Sequence, residues 1–274
     1  MSDVSVIIPT YNRRKSIAAA IISVLEQSYP VKEIIVCDDG STDDTKILID
    51  KLNNKKVLWI DCGRNGGPAI PRNIGISIAK GDWIAFLDSD DTWEKDKIER
   101  QLDAAKKNSC FAVCSNATRV LSDSNEKQEP YFSLNSGFIY FQELINTNKI
   151  ICSSAIIHKS LFRHQISFPE SIDFIALEDY ALWLKVATIT NWYYLQNPLV
   201  NYLDNPSESI RSNSKTEKDQ KLIIFSEYLD WNNKKFPLNY KILKSEYHKI
   251  TNKSTLISRI KLALKSLMNR IIRN

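Results

Sequence analysis

Over its first 110 residues the chain alternates short, unbroken apolar runs with stretches of helical periodicity, and few folds accept that pattern. Residues 4–8, 34–37, 57–60 and 83–87 are apolar apart from Ser5 and rich in β-branched and aromatic residues, which predicts strands. Between them, Ile17, Ala20, Ile21, Val24 and Leu25 recur at helical spacing. A second helix is expected to run to Leu52, with Thr42-Asp43-Asp44 able to cap it. Residues 68–79 predict a third, with Pro68 and Pro71 in its opening turn, and residues 94–107 a fourth. Strands that are apolar on both faces must be covered on both, which implies an α/β fold with a mainly parallel central sheet flanked by helices. Ligands bind such sheets at the carboxyl ends of the strands. Three of those ends carry special residues: Pro9-Thr10-Tyr11-Asn12, Asp38-Asp39-Gly40-Ser41 and Asp88-Ser89-Asp90-Asp91.

Residues 111–200 are less regular. Residues 111–115 and 151–158 predict strands, and 179–187 a helix with Leu182, Trp183 and Val186 on its apolar side. The chain has 274 residues and a net charge of +5, too mild a balance to imply nucleic acid as a partner. No apolar run reaches the length of a membrane span, and the N-terminus lacks the basic region of a signal peptide. Five cysteines form no disulfide framework, and Cys110 and Cys114 lack a second Cys/His pair at zinc spacing. A cytoplasmic protein with reduced thiols is expected.

Four constellations carry candidate chemistry. A diphosphate is neutralised by a divalent cation, and carboxylates are the hard ligands that Mg²⁺ or Mn²⁺ takes, so Asp88 and Asp90 are candidate metal ligands. Asp91 or Thr92 would cap the following helix. Asp39, at a strand end before Gly40, can accept from a uracil N3–H or a ribose hydroxyl. Arg64-Asn65-Gly66-Gly67-Pro68-Ala69, with Arg72 and Asn73, offers glycine backbone and an arginine for phosphate, yet matches neither a Walker loop nor a dinucleotide fingerprint. Asp179 in Leu177-Glu178-Asp179-Tyr180 is a candidate general base. Taken singly, each motif also reads as an ordinary turn or helix cap.

Taken in order, Val-Ser-Val-Ile-Ile-Pro-Thr-Tyr-Asn, Asp-Asp-Gly-Ser-Thr-Asp, Gly-Gly-Pro-Ala-x-x-Arg-Asn, Phe-Leu-Asp-Ser-Asp-Asp and Glu-Asp-Tyr-x-Leu-Trp resemble a family 2 glycosyltransferase of the GT-A fold, over about residues 3–200. The resemblance implies an inverting transfer of a hexose or N-acetylhexosamine from a nucleotide-diphosphate sugar, most simply a UDP-sugar. The acceptor would be a lipid-linked, lipopolysaccharide, O-antigen or capsule glycan. Pro9, Thr10, Tyr11 and Asp39 would hold base and ribose, with Asn12, Gly67 and Ser89 beside the donor and Arg72 near ribose or phosphates. Asp88 would contact ribose or metal-bound water and Asp90 the metal. Asp179 would be the base, Glu178 its support or an acceptor contact, and Trp183 either a packed residue or a sugar platform. Arg211, in the polar stretch 205–212, would close over the phosphates. A sugar-phosphate nucleotidyltransferase is an alternative, but those enzymes usually carry a Gly-rich basic loop where this chain has Pro9-Thr10-Tyr11-Asn12. A non-catalytic nucleotide-sugar or glycan-binding module is a second, against which Asp90 and Asp179 both argue.

The resulting division is a catalytic domain over 1–205, with a nucleotide-binding half to 110 and an acceptor half from 111, followed by a loop and helical extension over 206–274. Within 253–274, Leu256, Ile257, Ile260, Leu264, Leu267, Met268, Ile271 and Ile272 recur at helical spacing among six basic residues and no acidic one. Such a helix suits the anionic inner face of a membrane, where a lipid-linked acceptor resides; the alternative is packing on the catalytic domain or in a homodimer. A chain lacking residues 253–274 is expected to lose sedimentation with anionic vesicles, and unchanged sedimentation would assign the helix to protein packing.

Overall fold

The structure, a computed structural model, describes residues 2–121, 126–128, 130–205 and 215–252. The expected alternation is present: β1 (Val4–Thr10), α1 (Ile17–Leu25), β2 (Glu33–Asp38), α2 (Thr45–Leu52), β3 (Val57–Asp61), α3 (Ala69–Ile78) and β4 (Trp83–Phe86). There follow β5 (Thr92–Trp93), α4 (Lys97–Asn108), β6 (Ala112–Leu121), β7 (Lys127–Gln128), β8 (Gly137–Ile139), α5 (Phe141–Asn146), β9 (Ile156–His158), α6 (Glu178–Ile189) and β10 (Trp192–Asp204). The chain divides into two compact units, residues 1–212 and 213–274. In the second unit α7 (Glu217–Asn232) opens on a reciprocal cap between Thr216 and Asp219, and residues 237–252 are also helical. No described helix is long and apolar enough to cross a membrane. Arg211 and the 253–274 segment lie outside the described residues.

One mixed sheet has the order β3-β2-β1-β4-β9-β6-β10-β5, with β7 on β6 and β8 on β10. The β3, β2, β1 and β4 ladders are all parallel. Short β9 is antiparallel to both β4 and β6, so β6 and its parallel partner β10 run in the same direction as β1. The six longer strands therefore point one way, as a mainly parallel sheet requires. Every residue of β1, β2 and β4 is buried, the covering that their unbroken apolar sequences demanded. Pro9 sits in β1 without harm to a ladder. Thr10 and Val4 carbonyls bond toward β2 and the Ile7 carbonyl toward Leu87, so odd-numbered residues face β4, whose pairing with β1 ends at Ile7.

Two elements depart from expectation. Of the strand predicted over 151–158, only Ile156–His158 forms; Cys152–Ser154 is a buried 3₁₀ turn. Strand β10 contains Gln196-Asn197-Pro198, residues that disfavour a regular strand. The structure absorbs Pro198 in register shifts on either side of it. One close approach matters for the site. A Cβ on Gly75 would lie 2.7 Å from Ile7 Cγ2 and 3.1 Å from Cys37 Sγ. Glycine there lets α3 lie directly on β1 and β2, and α3 carries Arg72.

Candidate active site

The ends of β1, β2 and β4 bring the three sequence motifs to one edge. On the β1–β2 side, Asn12 adopts φ 51° and its Oδ1 accepts from Thr42 N at 2.8 Å, while its own N–H donates to Ser41 Oγ at 2.9 Å. Asn12 thus stitches two loops together. Asp43, not Asp44, meets the start of α2, accepting from Thr45 N at 3.0 Å. Pro9 and Thr10 are buried in the strand, and Thr10 Oγ1 is buried without a hydrogen-bond partner. Tyr11 is 40% exposed. Asp39 is buried and accepts from Asn65 N at 2.7 Å, from Gly66 N at 3.1 Å and from the Arg64 guanidinium. Of the adjacent glycines, Gly66 holds a left-handed φ of 89° that favours glycine. Gly67 has no such φ, and a Cβ on it would make only an ordinary 3.6 Å contact with Ile175.

Beyond β4 the acidic cluster divides. Ser89 is buried. The Asp88 carboxylate is 32% exposed and accepts from Arg72 Nη2 at 2.6 Å. The Asp90 carboxylate is 29% exposed and pairs with Arg13 Nη2 at 3.3 Å. Asp91 is not a helix cap. It is fully buried, accepting from Ser153 Oγ and from Leu203 N at 2.9 Å, and α4 starts only at Lys97, with Asp96 at its N-cap. Burial, with Asp90 and Asp88 nearby, pushes the Asp91 carboxyl well above the usual carboxylate range. Ser153, which no sequence motif marked, also accepts from Asp88 N at 3.0 Å and so fixes the turn between the two ligand candidates.

Arg72 connects this cluster to the second half of the sheet. Its Nη1 donates to Glu178 Oε1 at 2.7 Å while Nη2 holds Asp88, and the side chain is 4% exposed. Burial opposes the charge, but Cys152, Asp88 and Glu178 outweigh it and keep the guanidinium protonated. Arg72 is thus a bridge between carboxylates, where the sequence reading placed it against ribose or phosphate. Glu178 and Asp179 form the first turn of α6, where the helix dipole favours carboxylates. The chain enters through Ala176 at φ 64°, a left-handed conformation costing a non-glycine residue about 1 kcal/mol. Glu178 is buried with Oε2 lacking a hydrogen-bond partner. Burial, and then the Glu178 charge, push the Asp179 carboxyl up to about 7, against the opposing pull of Arg72. Trp183 is not a sugar platform. It is fully buried, with its ring against Trp192 at 5.0 Å, Phe86 at 6.1 Å and Phe168 at 6.2 Å between centroids.

A family model described as glycosyl transferase family 2 matches residues 5–167, more than half of the chain. The chain belongs to that family. This family 2 glycosyltransferase is 37% identical over 191 residues to the Escherichia coli UDP-Glc:alpha-D-GlcNAc-diphosphoundecaprenol beta-1,3-glucosyltransferase WfaP, which covers 68% of this chain and 70% of that one. It is 31% identical over 188 residues to E. coli WfgD, which bears the same activity in its name, covering 69% and 71% of the two chains. The fold is that of Staphylococcus aureus TarS 1–349, solved with UDP-GlcNAc, at a TM-score of 0.68 and 23% identity, over 84% of this chain and 66% of TarS 1–349. The family match ends before Glu178 and Asp179, so the Arg72 bridge joins the matched segment to carboxylates beyond it.

Replacing Arg72 by Gln removes the cation that restrains Asp179. If Asp179 is the base, the acid limb of the pH–rate profile should move above pH 7 in the variant. Thermal stability should fall as well, since buried Glu178 loses its partner, a change of about 3–5 kcal/mol. An unmoved acid limb in a folded variant would separate Arg72 from the titration.

Proposed function

We propose that this family 2 glycosyltransferase transfers a hexose or N-acetylhexosamine from a UDP-sugar, with inversion, to a glycan carried on a lipid diphosphate. WfaP and WfgD support the substrate class, since both names give UDP-glucose as donor and a diphosphoundecaprenol-linked GlcNAc as acceptor. The observation that carries the reading is the Asp179 carboxyl, raised to about 7 beside Glu178 and Arg72 at the edge where the nucleotide-side strands end. A base is most effective when its pKa lies near the working pH. In a single displacement the acceptor hydroxyl oxygen bonds to the anomeric carbon and its proton passes to Asp179. The bond to the diphosphate breaks on the opposite face, and the nucleoside diphosphate departs. Glu178, with one oxygen unpartnered in the protein, is suited to accept from an acceptor hydroxyl.

Asp88 and Asp90 offer hard oxygen donors for a divalent ion, Mg²⁺ or Mn²⁺. Both are partly exposed, and each is held from one side by an arginine. No group of three or more His, Cys, Asp or Glu side chains able to hold an ion occurs among the described residues, so the donor's phosphates and water would complete the shell. When bound, such an ion would neutralise charge developing on the departing diphosphate. The extension over 253–274 would bring the domain to the lipid surface where the acceptor sits.

Asp179→Asn should retain UDP binding by calorimetry and reduce transfer by about 10²–10⁴-fold. In the wild type, kcat/KM should fall as the pH drops below about 7, because the carboxyl protonates. The raised pKa means that ionising Asp179 costs the folded state stability as pH rises through about 7. The Asn variant should therefore melt no lower than wild type at pH 8. Full transfer by the variant would remove Asp179 from the base role. For the metal, UDP binding to the wild type should strengthen when Mn²⁺ is added, whereas Asp90→Ala should lose that dependence. Equal Mn²⁺ dependence in both would exclude Asp90 as a ligand.

A further inference from the structure

Arg64, on the loop after β3, covers the surface assigned to the nucleobase. Its Cζ lies 3.9 Å from the centroid of the Tyr11 ring. Its Nη1 pairs with Asp39 Oδ2. The loop backbone makes this placement definite. Asn65 N and Gly66 N both donate to the same carboxylate, and Gly40, at φ 77°, lets the Arg64 backbone come close, since a Cβ there would lie 3.1 Å from Arg64 N. The guanidinium itself is 52% exposed, whereas the Asp39 carboxylate is 5% exposed. The moving part is thus in water and the fixed part is in the protein.

A guanidinium lying over an aromatic face with an edge N–H directed at a buried carboxylate has the outline of a pyrimidine in the same seat. It is planar, it stacks, and it presents a hydrogen-bond donor where uracil presents N3–H. We propose that Arg64 acts as a built-in stand-in for the base, covering the nucleobase seat in the donor-free chain and swinging out when the donor's base displaces it. This rests on the reading that Tyr11 and Asp39 hold the base. It also sets specificity: a base must bring an N–H to Asp39 to replace the one that it removes. Uracil can do so, whereas cytosine would present a lone pair to the carboxylate.

The test compares wild type with Arg64→Ala and Arg64→Lys, using UDP and CDP by calorimetry and uridine by ligand-observed NMR. Removing a half-exposed stacked ion pair should tighten UDP binding by about threefold to tenfold in Arg64→Ala. Arg64→Lys, which keeps the charge but not the flat fork, should fall between Arg64→Ala and wild type. Uridine is neutral, so raising salt should strengthen its binding to wild type by screening the Arg64–Asp39 pair, and should leave Arg64→Ala unchanged. CDP should bind more weakly than UDP to all three proteins. Weaker or unchanged UDP binding in Arg64→Ala, with an unaltered melting temperature, would overturn the cover and make Arg64 a wall of the site or a bystander. Tyr11→Ala distinguishes the two levels of the account. If it weakens UDP binding while Arg64→Ala fails to tighten it, only the cover is wrong. If Tyr11→Ala leaves UDP binding unchanged, the base seat itself is misplaced and the cover falls with it.

Discussion

The buried guanidinium of Arg72 is the contact on which the rest of the site depends. It joins Asp88, at the end of β4, to Glu178, at the start of α6, across 106 residues of sequence. A buried cation is tolerated only when paired, and here it is paired on both forks. The bridge fixes the distance between the nucleotide side and the acceptor side of the sheet edge. It also holds Glu178 beside Asp179, whose carboxyl is lifted to about 7 by burial first and by Glu178 second, while Arg72 itself pulls it down. Without that burial and the neighbouring carboxylate, Asp179 would titrate near an ordinary aspartate and be a weak base at neutral pH.

Further contacts hold the bridge in place. Gly75, one turn beyond Arg72, lets α3 touch Ile7 and Cys37 and so sets the height of the guanidinium above the sheet. Ser153 donates to Asp91 and accepts from Asp88 N, while Asp91 accepts from Leu203 N near the end of β10. The turn that presents Asp88 and Asp90 is therefore anchored from below by residues of the second half. Family membership covers residues 5–167, and these contacts couple that segment to the carboxylates that follow it.

The nucleotide-side half of this architecture was readable from residue patterns because its strands are buried on both faces and carry that burial as unbroken apolar runs. Strand ends in a parallel sheet share an edge, so the convergence of Thr10, Asp39 and Asp88 followed from periodicity alone. Partnerships were not readable. Nothing local in Arg72-Asn73 says that the arginine will meet two carboxylates instead of a phosphate, and Ser153 has no motif at all. Asp91 looked like a cap because acidic residues before helices usually are, whereas desolvation and two hydrogen bonds make it a buried anchor. The apolar spacing of Leu182, Trp183 and Val186 marks one face of α6, but the helix is buried on nearly every side, which leaves the Trp183 ring no free face. Strand β10 was hidden by Pro198, which the sheet accommodates through irregular register.

The central claim is that burial and the Glu178 carboxylate, offset by Arg72, poise Asp179 as a base near neutral pH. The most direct measurement is a carbon-13 NMR titration of labelled aspartate carboxyls, with the Asp179 signal assigned by its loss in Asp179→Asn. The account predicts a midpoint near 7 in the donor-free protein. A midpoint near 4, the ordinary value for an aspartate, would contradict it.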